Sequence, residues 1–329
     1  MSVLAPTLQA FFTDRLSNQR HASAHTIASY RDTWRLLLAF AHSRTGIPPS
    51  QLDLADFDAE LVAAFLDHLE TARGNNTRTR NVRLAAIHSL FRYAALAHPE
   101  HANTIARVLA IPVKRTDRAL VTFLTEPEVE ALLAAPDQGT RTGRRDHALL
   151  LVAIQCGLRI SELIALSRGD VHLGTGAHVT CTGKGRKQRT TPLATNTVLS
   201  LRNWLTERPG QPTDPLFPSR DGQRLSRDAI EHRLAQYIDV AGAICPTLHS
   251  KRVTTHSLRH TAAMRLLQAG VDTTVIALWL GHENVETTQI YLHVDLELKE
   301  RALARTTPPG TRPGRYHPPE EILTWLQAL

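Results

Sequence analysis

Thr255-His256-Ser257-Leu258-Arg259-His260 is followed by Leu280-Gly281-His282 and then by Thr287-Thr288-Gln289-Ile290-Tyr291. Apolar spacing, with stops at Gly270 and Gly281, predicts three short helices over 256–268, 272–280 and about 286–304. His256 and Arg259 share a face of the first, at i and i+3. His282 and Tyr291 lie on either side of a break and can converge. Imidazole moves protons, guanidinium pairs with anions, and a phenol oxygen can attack an electrophile. We expect Tyr291 to attack a DNA phosphate and the remainder of the chain to bring the DNA to it.

Upstream, 145–156 reads as a helix that is apolar almost all round, ended by Gly157. Leu158-Arg159-Ile160-Ser161-Glu162-Leu163 begins another, with Arg159 at its mouth. An arginine beside a buried apolar helix is costly unless it is paired or serves an anion. A salt bridge to Glu162 is one reading and a phosphate the other; both hold if Glu162 orients Arg159. From Ala177 the pattern alternates, through His178-Val179-Thr180-Cys181-Thr182 and Gln188-Arg189-Thr190-Thr191-Pro192-Leu193. This predicts a β-hairpin with the basic turn Gly183-Lys184-Gly185-Arg186-Lys187. The turn lacks the GxxxxGK[ST] spacing of a phosphate-cradling loop.

Arg159, Lys184, His256, Arg259, His282 and Tyr291 form one candidate catalytic set. Two guanidiniums suit the oxygens of a phosphoryl transition state. A tyrosine with an ordinary pKa of about 10 needs a base or cations nearby to attack. A lysine or histidine can protonate a leaving alkoxide. Metal ligation fits less well. His256 and His260 stand four apart, but Ser257 takes the place of the glutamate in HExxH, and Cys245, His249, His256 and His260 lack a paired CxxC. A helix-turn-helix over 268–289 would explain basicity but would leave Arg159, Lys184 and Tyr291 without a task.

The N-terminal part reads as a small all-helical domain, 1–110. Its predicted helices run near 8–20, from Ser23 or His25 to His42, from an Asp58 cap through Leu69, and over about 77–96. Arg78, Arg80 and Arg83 crowd the head of the last, where free backbone N–H groups also favour phosphate. Residues 111–122 read as a linker, with Pro112 interrupting helix and Lys114 placed to follow a DNA backbone. A second domain spans 123–305. Residues 306–329 form a Pro/Gly tether ending in a short amphipathic helix, which needs a partner surface to be stable.

The bulk numbers agree with this division. The 329 residues suffice for about two domains. Lys and Arg exceed Asp and Glu by 38 − 31 = +7, which suits a polyanion. Three cysteines in no paired pattern point to a reducing cytosol and no structural bridge. No basic start followed by an apolar run opens the chain, and the apolar stretch around 148–154 is too short to cross a bilayer. The expected location is cytoplasmic, with no membrane partner.

In five pieces the chain resembles the tyrosine recombinase (phage integrase) family, close to its Xer-like and transposon-borne members. They are Gly157-Leu158-Arg159-Ile160-Ser161-Glu162-Leu163, Gly183-Lys184-Gly185-Arg186-Lys187-Gln188-Arg189, His256-Ser257-Leu258-Arg259-His260, Leu280-Gly281-His282 and Thr287-Thr288-Gln289-Ile290-Tyr291. The N-terminal part matches more weakly, through Thr26-Ile27-Ala28-Ser29-Tyr30 and Thr79-Arg80-Asn81-Val82-Arg83. The resemblance implies a mainly α fold with a small antiparallel sheet. A helical core-binding (SAM-like) domain would precede the catalytic domain. It implies a 3′-phosphotyrosyl link on Tyr291, with Arg159, Arg259 and His282 on the scissile phosphate. Lys184 would be the acid, His256 a proton-transfer aid and Glu162 a buttress. Arg78, Arg80, Arg83, Lys114 and Arg186 are expected DNA-backbone contacts. No cofactor, metal or ATP is implied. The expected partner is a double-stranded recombination site, held by a homotetramer that exchanges C-terminal helices. The competing functions are DNA relaxation of the type IB topoisomerase kind and a DNA-binding accessory protein without catalysis.

Overall fold

The computed structural model describes residues 4–116, 121–183, 187–207 and 209–281. The chain divides into two compact units, Met1–Arg118 and Ala119–Leu329. Among the described residues it is mostly helical, with one small antiparallel sheet. No helix among them is long and apolar enough to cross a membrane.

The first unit holds α1 (Leu4–Ala10), continued by a π-helical stretch (Phe11–Gln19), and then α2 (Ala24–Thr45), α3 (Ala59–Thr71), α4 (Thr77–Ala97) and α5 (Ala102–Leu109). Short polar caps set the starts. Ser23 Oγ accepts from the Thr26 N–H, Asp58 Oδ1 from Leu61 and Asn76 Oδ1 from Thr79. Gly46, at φ 74°, ends α2 in the left-handed region. The core is aromatic at its centre, with Trp34 edge-on to Phe57 at 5.9 Å and stacked with Phe91 at 6.5 Å. The sequence reading missed α5, because Ile105 and Val108 are its only buried anchors.

The second unit begins with α6 (Glu126–Ala134), α7 (Arg141–Cys156) and α8 (Ile160–Ala165). Strands β1 (Val171–His172), β2 (His178–Thr182) and β3 (Gln188–Pro192) follow, in the order β1-β2-β3. Then come α9 (Thr195–Thr206), α10 (Arg227–Ile244), α11 (Thr255–Gln268) and α12 (Thr273–Leu280). The expected hairpin strands are present, with Cys181 opposite Arg189 and Thr182 opposite Gln188. The very short β1 was not anticipated. Nor was α9, whose Thr197, Leu201 and Trp204 are buried at i, i+4 and i+7, while Leu199 of the same run is exposed.

The core of this unit is built round α7, whose residues 148–154 are all buried. The same helix carries a buried charge cluster. Asp146 accepts from Arg145 Nε at 2.8 Å, Arg233 at 3.1 Å and the Tyr237 hydroxyl at 2.7 Å, which joins α7 to α10. Burial, together with the Asp146 hydrogen bond, pushes the Tyr237 phenol up to about 12. Asp146→Ala strips the anion from two guanidiniums and a phenol. It is expected to cost about 3–5 kcal/mol, read as a lower midpoint in denaturant unfolding.

Two contacts lead the chain into α11. The Leu124 N–H donates to Thr261 Oγ1 at 2.9 Å. Glu128 accepts from the Thr125 N–H, so closing the start of α6, and also from Lys251 Nζ at 2.6 Å. The apolar side of α11 then packs along α7, and this packing brings the signature residues of the two helices together.

Candidate active site

Gly157 is the pivot between α7 and α8. Its φ is +60°, and a Cβ there would meet Leu280 Cδ2 at 2.5 Å and Ala262 Cβ at 3.1 Å. Only glycine gives both the left-handed turn and this close approach of α11 and α12. Two residues later Arg159 caps α8. Its backbone N–H donates to Glu162 Oε2 at 2.8 Å and its Nη1 to Glu162 Oε1 at 2.9 Å. The Arg159–Glu162 pair is therefore real, and the Arg159 side chain still leaves 34% of its surface exposed. A buried partner on one side and an open face on the other suit an anion-binding arginine oriented by a carboxylate.

Arg259 comes from the buried side of α11 and is 2% exposed. Its Nη1 donates to the Gly157 carbonyl at 2.6 Å and its Nη2 to the Leu280 carbonyl at 2.8 Å. Arg159 Nη2 donates to the next carbonyl, Gly281, at 3.0 Å. Arg189 Nε takes the carbonyl before it, Trp279, at 3.1 Å. Three arginines from α8, β3 and α11 thus bind three successive carbonyls at the end of α12. Helix ends leave such carbonyls unpaired and carry partial negative charge, so cations are favoured there.

His256 lies one helical turn before Arg259, its ring 4.3 Å from that of His260 and nearly perpendicular to it. Atoms crowding the imidazole, and then the charges of Arg259 and Arg159, hold its pKa below the ordinary 6.5. It is therefore neutral at pH 7 and able to accept a proton. The dependence of this one ring on both guanidiniums places the three groups in one neighbourhood.

Glu162, with a side chain only 3% exposed, anchors the arrangement. Burial pushes its carboxyl up, but the hydrogen bonds and charges of Arg189 and Arg159 outweigh this and bring it from 4.5 to about 2. Its ionised form therefore contributes stability in full above pH 4.5, and that contribution fades as pH falls towards 2. Arg189 was quoted within a signature but given no task by the sequence reading. It forks onto Glu162 at 2.9 and 2.7 Å. The signal was present, because period-two alternation puts Arg189 on the same inward side of β3 as buried Thr191.

Lys184, Arg186, His282 and Tyr291 lie outside the described residues, as do the expected helix over 286–304 and the tail 306–329. The described neighbours of Lys184 and His282 are the two ends that lead to them. Gly183 donates its N–H to the Lys187 carbonyl at 2.8 Å across the hairpin, and Gly281 closes α12 at φ +64°.

The basic residues expected on DNA in the first unit fare unequally. Arg78 is exposed at the start of α4. Arg80 is 5% exposed and donates to the Pro112 carbonyl at 3.0 Å. Arg83 is half-buried and donates to the Ser29 carbonyl and to Thr33 Oγ1, tying α4 to α2. Lys114 pairs with Glu70 at 2.5 Å. One of the N–H groups expected to be free at the head of α4 is taken by Asn76. Arg80 and Arg83, on the inward side of the helix, brace the unit itself.

Fold and site together define a catalytic domain preceded by a small helical one, and the comparisons with known proteins agree. The Phage integrase family model matches residues 122–297, and the Phage integrase N-terminal SAM-like domain matches residues 10–98. The chain belongs to the phage integrase family, as a tyrosine recombinase. It is 56% identical over 326 residues to a Sinorhizobium fredii protein named as an integrase/recombinase, covering 99% of this chain and 98% of that one. It is 32% identical to the tyrosine recombinase XerD of Pseudomonas putida, covering 91% of this chain and 96% of that one. Among solved structures, the XerH site-specific recombinase bound to its difH substrate before cleavage aligns with a TM-score of 0.65 and 25% identity, over 88% of this chain and 81% of that one. The Tn1549 transposon integrase, at 16% identity and a TM-score of 0.68 over 92% of this chain and 99% of that one, shares the fold.

Proposed function

We propose that this recombinase cuts and rejoins double-stranded DNA at a specific site through a covalent phosphotyrosyl intermediate. The observation that carries this is the convergence of Arg159 and Arg259 on adjacent carbonyls, with neutral His256 beside them. Two guanidiniums so held are preorganised for the non-bridging oxygens of one phosphate, where fixed charge lowers the barrier most.

In the proposed reaction the Tyr291 oxygen attacks phosphorus and its proton passes to His256. The P–O5′ bond breaks, and Lys184 gives the departing oxygen its proton. The DNA is left with a 3′-phosphotyrosyl end and a free 5′-hydroxyl. His282 completes the phosphate contacts and Glu162 keeps Arg159 in place. Because the phosphotyrosyl bond keeps the energy of the broken phosphodiester, a 5′-hydroxyl from a second strand restores the backbone without ATP. The arginines supply the charge that a metal would otherwise provide.

The proposed division of labour follows the expected domains. Residues 1–110 bind DNA, with Arg78 as the exposed basic contact on α4. Residues 111–122 link, 123–305 carry the chemistry, and 306–329 contact a second protomer. Four protomers on two sites would exchange two pairs of strands, and the work would be done in the cytoplasm.

A footprint on DNA flanking the gene supplies the substrate, and two assays on it test the reading. A nicked suicide duplex is expected to leave a covalent protein–DNA adduct, and two differently labelled duplexes are expected to give a joined product. Relaxation of supercoiled DNA without joining would make the protein a topoisomerase. A mobility shift with no adduct would make it a passive binder. Either result overturns recombination.

A further inference from the structure

We propose that Arg189 is a positioning residue of strand cleavage: its guanidinium clasps the Glu162 carboxylate and the Trp279 carbonyl at once, and so sets Arg159 against the scissile phosphate. The inference rests on the phosphotyrosyl reading of the same site, and it adds a residue to which neither the signatures nor that mechanism gave a task.

Like Arg159 itself, Arg189 bonds both Glu162 and the end of α12, but it alone among the described side chains forks onto both oxygens of that carboxylate. Its two Nη atoms take both oxygens of Glu162, at 2.9 and 2.7 Å, and its Nε takes the Trp279 carbonyl at 3.1 Å. Its side chain is 11% exposed. Space around it is tight on two sides. A Cβ on Gly281 would lie 3.0 Å from its Nη1, and one on Gly183 would lie 3.4 Å from the same atom. Both glycines border catalytic positions, Gly183 before Lys184 and Gly281 before His282. Arg189 therefore packs at the roots of both segments while gripping the carboxylate that orients Arg159. A lysine has no planar fork and cannot make these three bonds together.

The arrangement has a consequence for pH. Glu162 sits where burial disfavours its anion, and the hydrogen bonds and charge of Arg189 are the largest opposing influence, followed by those of Arg159. Among the described residues, the other titratable or charged groups facing this cluster are Cys181 on β2, Cys156 at the end of α7, and Arg259 and His256 on α11. Both thiols are pushed up by burial, Cys156 to about 12, so they stay neutral across the working range. Without Arg189, burial acts on Glu162 against Arg159 alone and its carboxyl rises towards protonation. A protonated Glu162 no longer holds the Arg159 fork.

The test measures adduct formation on the suicide duplex from pH 5 to 8, for the wild type, Arg189→Met, Arg189→Lys and Arg189→Met/Glu162→Gln. Arg189→Met should bind DNA as the wild type does and cleave on the order of 10²-fold more slowly at pH 8, from a misplaced Arg159. Its rate relative to wild type should fall further at acid pH, approaching roughly tenfold per unit below the new Glu162 pKa. The wild-type ratio cancels the titration of His256. The acid limb should vanish in Arg189→Met/Glu162→Gln, because glutamine does not titrate. Arg189→Lys should be slow but parallel to wild type in pH, since the charge remains and the fork is lost. If Arg189→Met fails to fold, Arg189→Lys decides, and a wild-type rate in it overturns the proposal. Parallel profiles for wild type and Arg189→Met also overturn it, leaving the phosphotyrosyl reading intact. Absence of any adduct from the wild type overturns that reading, and this proposal with it.

Discussion

Tyr291→Phe is expected to form no covalent adduct with a suicide duplex while still shifting the same DNA in a gel. The change removes one oxygen and keeps the ring, so packing and DNA binding have little reason to alter. The chemistry loses its attacking atom. Deleted nucleophiles elsewhere bring turnover down to background, on the order of 10⁴-fold or more. A trapped adduct surviving in the variant would show that another residue attacks, and would remove Tyr291 from the mechanism. Water could not replace it productively, because hydrolysis would discard the bond energy that rejoining needs.

Arg259→Ala is expected to fail in two separable ways. The guanidinium is buried and bonds the Gly157 and Leu280 carbonyls. Its loss strips these two carbonyls of those bonds, at a cost of about 2–5 kcal/mol. The transition state loses a fixed cationic donor, which is worth roughly 10²–10³ in rate. Thermal unfolding reads the first effect, and adduct formation well below the new melting temperature reads the second. Arg259→Lys should recover part of the stability but little of the rate, because one ammonium cannot span both carbonyls and still face a phosphate. A variant that melts early yet cleaves at the wild-type rate would make Arg259 a brace alone.

Tyr291 and Arg259 stand out in the sequence itself, for physical reasons. Arg259 shares a helix face with His256, and Tyr291 follows a glycine stop, so a guanidinium, an imidazole and a phenol can meet. The helices of the second unit were legible for the same kind of reason. Apolar period, a Thr125 start with Pro127 in its first turn, and the stops at Gly157 and Gly281 are local signals, and local sterics enforce them. Helix α9 escaped because its anchors are few, and α5 because it is short.

The basic residues show what reading along a chain leaves open. Arg78, Arg80 and Arg83 look alike in sequence, yet Arg78 faces solvent while Arg80 is buried under Pro112 and Arg83 braces α2. Charge is a property of a residue. Which way the charge points depends on the rotation of the helix and on what packs against it, and both are settled by distant segments.

The sequence by itself determined the family, the two-part organisation, the helical class with its hairpin, and the kinds of side chain available for catalysis. Those features depend on composition and on spacing within a few turns, where covalent geometry leaves little choice. The tertiary structure alone decided that three arginines from α8, β3 and α11 would meet three consecutive carbonyls at the end of α12, and that Arg189 would join Arg159 as a partner of Glu162. These contacts join residues up to 122 positions apart. They exist because burying the apolar side of α11 against α7 is favourable, and the polar groups carried into that interface must then find partners in one another.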